Sequence, residues 1–278
     1  MTEAANGDGG SFEGEEGVEI SYREWRPAGD PRAAVVIAHG AGEHSGRYRH
    51  VADALTAAAY AVFALDHRGH GRSPGERMRF GSVAPLAADV GRMVSIAAEA
   101  APAKKPFLLA HSMGGLIALD WVLDHPDELS GLVLSGALAS VDQAPAVRYA
   151  ARAIARVSPG RGIFKVDPQT ISRDPRVIAA YESDPLNFNG SYPAETIVAL
   201  ERTGLTFPGR LPSLAIPILM MHGGDDTLTN PAGSRLVDEL ASSDDKTLRI
   251  YDGLRHEILN EPEGPEIIAE IVAWLDAH

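Results

Sequence analysis

The residues best suited to chemistry in this chain lie in Leu108-Leu109-Ala110-His111-Ser112-Met113-Gly114-Gly115. The apolar run Pro106 to Ala110 reads as a buried strand and Leu116 to Leu123 as a helix, so Ser112 falls on the turn between them. A nucleophilic serine needs that place. A sharp strand-to-helix turn lifts the hydroxyl above the sheet, and only small residues two before and two after leave room for the strained backbone. The following helix aims its first N–H groups and positive dipole end at the point where negative charge develops. Ala110 stands where glycine is usual in such a turn; it is still small, and the turn tolerates it. A serine among glycines also makes an ordinary turn, so the reading depends on partners elsewhere in the chain.

A nucleophilic serine requires a base, an orienting acid and two backbone N–H donors for the oxyanion. One donor is the residue after the nucleophile, Met113. The other belongs to a loop after an early central strand, and His39-Gly40-Ala41-Gly42 follows the strand Ala33 to Ala38; Ala41 is the expected donor, although the same residues would also make a plain tight turn. For the acid, Asp225 and Asp226 lie just past the strand Ile216 to His222. We favour Asp226 and expect Asp225 to hold the turn by an Asx-type bond. Asp142 is a rival, and Asp66, ahead of His67-Arg68-Gly69-His70-Gly71-Arg72-Ser73, reads as an organiser of that loop. The order serine, acid, histidine along the chain leaves His256 and the terminal His278 as bases, and His256 sits in the loop before the last helix. His39, His111 and His222 each flank a strand end and are expected to bond backbone in the floor of the site. No histidine spacing suits a metal site, and no phosphate-binding glycine motif follows a strand, so neither metal nor nucleotide cofactor is expected.

These residues must be positioned by a sheet. Val18 to Trp25 alternates like an edge strand; Ala33 to Ala38, Ala61 to Asp66, Leu129 to Ser135, Ile216 to His222 and Thr247 to Tyr251 read as further strands. Helical patterns run over Arg47 to Ala59, Val83 to Ala101, Gly233 to Leu240 and Pro265 to Trp274. The alternation predicts an α/β fold, a mostly parallel doubly wound sheet with helices on both faces. The core would comprise 18–136 and 212–278. Residues 137–211, rich in proline and without a convincing core strand, read as an inserted helical cap, because a structureless loop of that length is not expected in a compact domain. Within it Arg148, Arg152 and Arg156 form a basic stripe opposite Val147, Ala150, Ala151 and Ile154. Such a helix could lie on a lipid surface or simply pack on the core with its arginines in solvent.

The 278 residues suffice for one large α/β domain, and 45% apolar content for its core. The absence of cysteine excludes disulfides and thiolate catalysis. A net charge of −13 argues against a nucleic-acid partner. Residues 1–17 are rich in glycine and glutamate and read as a disordered lead-in. No secretory signal and no membrane span is apparent, so cytoplasmic residence is expected.

Taken together, His39-Gly40-Ala41-Gly42-Glu43-His44-Ser45-Gly46-Arg47-Tyr48, Asp66 to Ser73, His111 to Gly115, Ser172-Arg173-Asp174-Pro175, Tyr181-Glu182-Ser183-Asp184-Pro185-Leu186 and His256-Glu257 with Asn260-Glu261-Pro262 resemble the α/β-hydrolase monoacylglycerol lipases, the bacterial (actinobacterial) members above all. The resemblance spans nearly the whole chain in order. It implies cofactor-free hydrolysis of monoacylglycerols to fatty acid and glycerol, with Ser112, Asp226 and His256 as triad and Ala41 and Met113 as oxyanion hole. It also implies a cap that surrounds an apolar tunnel and approaches membranes, and it places Glu43, Arg47, His111 and Tyr181 at the polar end of the pocket as substrate-binding residues. A lysophospholipase or broad carboxylesterase with the same triad is the nearest alternative. An aminopeptidase would need a carboxylate cluster that the sequence does not identify, and a non-catalytic receptor would be expected to have lost a triad member.

Overall fold

Near-continuous apolar runs, rather than alternation, mark strands buried on both faces. That is the state of β3 (Ala33–Ala38), β4 (Tyr60–Leu65), β5 (Phe107–His111) and β6 (Gly131–Ser135) in the computed structural model, which describes residues 7 and 9–278. With β1 (Ser11–Glu13), β2 (Glu19–Trp25), β9 (Ile218–Gly223) and β10 (Lys246–Tyr251) they form one eight-stranded sheet in the order β1-β2-β4-β3-β5-β6-β9-β10. All neighbours from β4 to β10 are parallel, whereas β1 and β2 are antiparallel additions at one side. Among the described residues the two remaining strands, β7 (Gly162–Phe164) and β8 (Tyr192–Pro193), pair only with each other.

Successive residues of a strand face opposite ways, and two hydrophobic layers follow from that period. Val36, Phe63, Leu108 and Leu132 pack towards α2 (Ala84–Ala100) and α3 (Met113–Val122). Val35, Val62, Leu109 and Val133 pack towards α1 (Arg49–Ala57) and α9 (Gly264–Ala277). Helices α4 (Pro145–Val157), α5 (Pro175–Ser183), α6 (Ala194–Gly204) and the short α7 (Phe207–Arg210) come between β6 and β9, and α8 (Ala232–Leu240) joins β9 to β10.

The lead-in differs from expectation. Residues 1–6 and 8 lie outside the described residues, but Ser11–Glu13 are a strand paired with Ser21, Ile20 and Glu19, so β2 is not an edge. One apolar residue does this: Phe12 is buried beside Tyr22, and Asp89 Oδ1 accepts the Glu15 N–H at 2.8 Å. Composition averaged over the segment hides a single side chain that packs.

The chain passes from β3 to β4 on one side, then crosses to β5 on the other. The carboxyl ends of β3 and β5 therefore face each other across the point where strand order reverses, the usual place for a site in such sheets.

Candidate active site

Ser112 is the residue between β5 and α3, at φ 53° and ψ −119°. A non-glycine residue at positive φ stores strain that surrounding packing must impose. Gly114 permits it: a Cβ there would lie 2.3 Å from the Ala38 carbonyl oxygen. The methyl group of Ala110 is wholly buried in the core, so the departure from glycine is accommodated by packing.

Ser112 Oγ lies 2.9 Å from His256 Nε2, and His256 Nδ1 lies 2.7 Å from Asp226 Oδ2. The structure thus brings together three side chains far apart in the sequence. Burial alone would lower the His256 pKa, but the charge and hydrogen bond of Asp226 outweigh it and raise it above the ordinary value. Burial likewise opposes ionisation of Asp226, yet His256, His222 and the Thr229 N–H hold its carboxyl far below the usual range. Asp226 Oδ1 accepts from the N–H groups of Leu228 and Thr229 at 2.8 and 3.0 Å, so Asp226, not the exposed Asp225, secures the turn. Asp66 accepts from the Ser45 and Arg72 N–H groups and organises its loop, as expected. Thr229 and His222, whose Oγ1 and Nε2 lie 2.8 and 3.2 Å from Asp226 Oδ2, were not singled out around the acid from sequence. Nor was Glu261, which accepts from the N–H of Arg255, beside His256, and from that of Arg173 in the insertion.

The loop after β3 can be read by asking where its backbone groups go. Glu43 Oε1 accepts the Gly40 N–H at 2.7 Å. The Gly40 carbonyl accepts from His39 Nδ1 at 2.7 Å; His39 Nε2 in turn accepts the His67 N–H at 3.0 Å, which leaves the ring proton on Nδ1. Burial pushes the His39 pKa down and keeps the ring neutral. The Ala41 carbonyl accepts from the Tyr192 hydroxyl and the Gly42 carbonyl from the Phe188 N–H. Among the described residues neither the Ala41 N–H nor the Met113 N–H has a protein acceptor, and both residues line the cavity above Ser112.

Glu43 also accepts from Tyr48 Oη and from Arg47, and the Arg47 guanidinium makes two parallel bonds of 2.7 Å to Glu257. Burial resists the charge on Glu43, but Arg47 overcomes it and holds the carboxyl at about 2. Glu43, His111, Tyr181 and Glu257 line the cavity, whereas Arg47 lies behind the two carboxylates with its guanidinium 5.0 Å from the Tyr181 ring. Arg47 thus stands at the polar end of the pocket, directly behind side chains that line it. His111 donates from Nδ1 to the Ser135 carbonyl at 2.9 Å and, like His39, bonds backbone as expected. Burial and then the neighbouring His256 lower its pKa to about 4.

The cavity measures about 280 Å³. Its far walls are apolar and come largely from the insertion, through Leu138, Val141, Ile163, Phe164, Ile171 and Leu200. Of the basic stripe on α4, Arg152 bonds Glu201 of α6 at 3.0 and 3.1 Å and Arg148 faces the cavity, so neither is simply solvated. No group of three or more His, Asp or Glu residues among those described could hold a metal ion.

A largely parallel sheet whose strand–helix turn presents a serine to a histidine–carboxylate pair defines the α/β-hydrolase fold and a serine hydrolase. The family model described as Serine aminopeptidase, S33 matches residues 29–263, and the chain belongs to this hydrolase family. It is 40% identical to a monoacylglycerol lipase of Mycolicibacterium smegmatis over 96% of both chains. It is 35% identical to the human monoglyceride lipase over 94% of this chain and 88% of that protein. The crystal structure of Paleococcus ferrophilus monoacylglycerol lipase superposes with a TM-score of 0.83 at 30% identity, covering 94% of this chain and 99% of that one. A soluble variant of Saccharomyces cerevisiae monoglyceride lipase, in complex with a substrate analogue, gives 0.87 at 25% identity over 100% and 97% of the two chains.

Proposed function

We propose that this carboxylic ester hydrolase cleaves monoacylglycerols to fatty acid and glycerol, with Ser112 as nucleophile, His256 as base, Asp226 as orienting acid and residues 137–211 as a cap over the site. The observation that carries the reading is the hydrogen-bonded line from Ser112 to Asp226 opening beneath an apolar, cap-walled cavity.

In this scheme Ser112 Oγ attacks the ester carbonyl as its proton passes to His256 Nε2, and Asp226 holds the imidazole tautomer and stabilises its charge. The Ala41 and Met113 N–H groups receive the oxyanion; loss of one such donor typically costs roughly 100–1000-fold in rate. His256 then protonates the departing glycerol oxygen, and water activated by the same imidazole releases the fatty acid from Ser112.

The polar wall supports a neutral polyol leaving group. Glu43 and Glu257 face the cavity with one guanidinium, Arg47, between them, so this end favours hydroxyl donors and opposes a phosphodiester. Hydrolysis of monoolein, lysophosphatidylcholine and a nitrophenyl butyrate ester, measured side by side, tests this. Monoolein should give a kcat/KM well above lysophosphatidylcholine, and Ser112→Ala should lose all three activities; faster turnover of the lysophospholipid would overturn the substrate assignment.

The cap is also the proposed contact with lipid. Val147, Tyr149 and Val157 of α4 are 58, 77 and 83% exposed, and residues 137–211 carry nine Lys and Arg against seven Asp and Glu in a chain of net charge −13. A helix with that surface suits transient attachment at a bilayer interface. No helix among the described residues is long and apolar enough to cross a membrane.

A further inference from the structure

The loop that carries the Ala41 N–H contains glycine at 40 and 42, and Gly42 adopts a φ of +70°. Such a loop has wide conformational freedom, so its shape depends on what its carbonyl groups are bonded to. The core supplies one of those bonds through His39. The others come from the cap, some 140–150 residues further along the chain: Tyr192 Oη to the Ala41 carbonyl at 3.2 Å, the Phe188 N–H to the Gly42 carbonyl at 2.8 Å, and Tyr181 Oη to the same oxygen at 3.5 Å.

Tyr192 is built for this contact. It belongs to β8, is 3% exposed, and its ring packs on Phe188 at 6.0 Å and edge-on to Phe164 at 5.7 Å. Burial drives its pKa well above the ordinary tyrosine value, so the hydroxyl keeps its proton. A Cβ on Gly42 would lie 2.7 Å from Tyr192 Oη, so the absence of a side chain there lets the loop and the hydroxyl meet.

We infer that Tyr192 is a positioning residue through which the docked cap sets the oxyanion loop, by holding the Ala41 carbonyl outward while the Ala41 N–H faces Ser112. The inference rests on the serine-hydrolase reading of the site, but not on the identity of the natural substrate. The cap is then part of the machinery that stabilises the tetrahedral intermediate as well as the wall that receives an acyl chain.

The test is Tyr192→Phe, assayed with nitrophenyl acetate, whose acyl group is too short to use the cap's apolar walls. A methyl boronic acid serves as the tetrahedral analogue, and Tm as the check on folding. Removing the hydroxyl should lower kcat about tenfold, a fraction of the loss from deleting a donor outright, with KM within twofold of wild type and boronate affinity falling in parallel. Tyr192→Leu should show the same kcat loss with a lower Tm. Unchanged kcat in the Phe variant, or a loss that appears only as a raised KM for long acyl chains, would overturn the inference. The two readings fail separately. Wild-type enzyme that turns over nitrophenyl acetate but not monoolein sinks the substrate assignment alone, and the variant-to-wild-type ratio still decides the role of Tyr192.

Discussion

The Arg47 guanidinium lies between Glu43, which accepts the Gly40 N–H of the loop after β3, and Glu257, the residue after His256. One buried cation thus joins the loops that present the proposed oxyanion donor and the proposed base. The side chains of Glu43 and Glu257 are only 4 and 6% exposed, so neither can turn to water for compensation. Arg47→Met should therefore destabilise the fold by roughly 3–5 kcal/mol, the usual cost of leaving one side of a buried pair unpaired. Arg47→Lys, which keeps the charge but loses the parallel bonds, should lose less. Urea denaturation of the variants checks the order, and a Met variant as stable as wild type would refute it.

Catalysis in the proposed scheme requires neutral His256, so kcat/KM should fall as pH drops through the pKa of that imidazole. Because Asp226 outweighs burial, the midpoint should lie above the ordinary value of 6.5. Asp226→Asn removes the largest opposition to burial, leaving only the more weakly acting Glu257 and Glu43, so the midpoint should move to lower pH while kcat drops by roughly 10⁴-fold, as for loss of the acid in other triads. A pH–rate profile of each enzyme on a soluble ester measures both effects; a midpoint indifferent to the substitution would assign it to some other group.

His39 is expected to act on rate through the Gly40 carbonyl and on stability through the His67 N–H, and the two roles separate by isostere. His39→Asn keeps a donor near Nδ1 and should retain most of kcat with a reduced Tm. His39→Gln keeps an acceptor near Nε2 and should retain Tm better while losing about tenfold or more in kcat. If both variants lose activity only in proportion to stability, the ring is merely structural.

Tyr149 and Val157 point away from the cavity, so Tyr149→Ser with Val157→Ser should weaken sedimentation with phosphatidylcholine vesicles without changing hydrolysis of nitrophenyl acetate. Vesicle binding equal to that of wild type would remove α4 as the lipid contact.

The inner strands β3 to β6 and β9 were legible because each is a short, largely apolar run, β2 because it alternates, and the turn at Ser112 because small neighbours at fixed spacing mark a strained turn. Chain order singled out His256, and the structure sets it between Ser112 and Asp226. The Asx-type bond was expected of Asp225 but belongs to Asp226, because the choice between adjacent carboxylates depends on which one the β9 turn buries. Strand β1 was hidden among glycines and glutamates, since one buried phenylalanine does not alter the average of seventeen residues.

What the sequence determined by itself was local: which segments are strands and helices, where the strained turn at Ser112 falls, and which carboxylates and histidines come after it. Tertiary structure alone decided that Arg47 sits behind two carboxylates, that Thr229 and His222 flank Asp226, and that the Tyr192 hydroxyl, from the segment between β6 and β9, reaches the Ala41 carbonyl. Spacing along a chain records contacts within a turn or an element. A hydrogen bond closed between residues 151 positions apart, as from Tyr192 to Ala41, leaves no periodic trace, because its geometry is set by how whole layers pack.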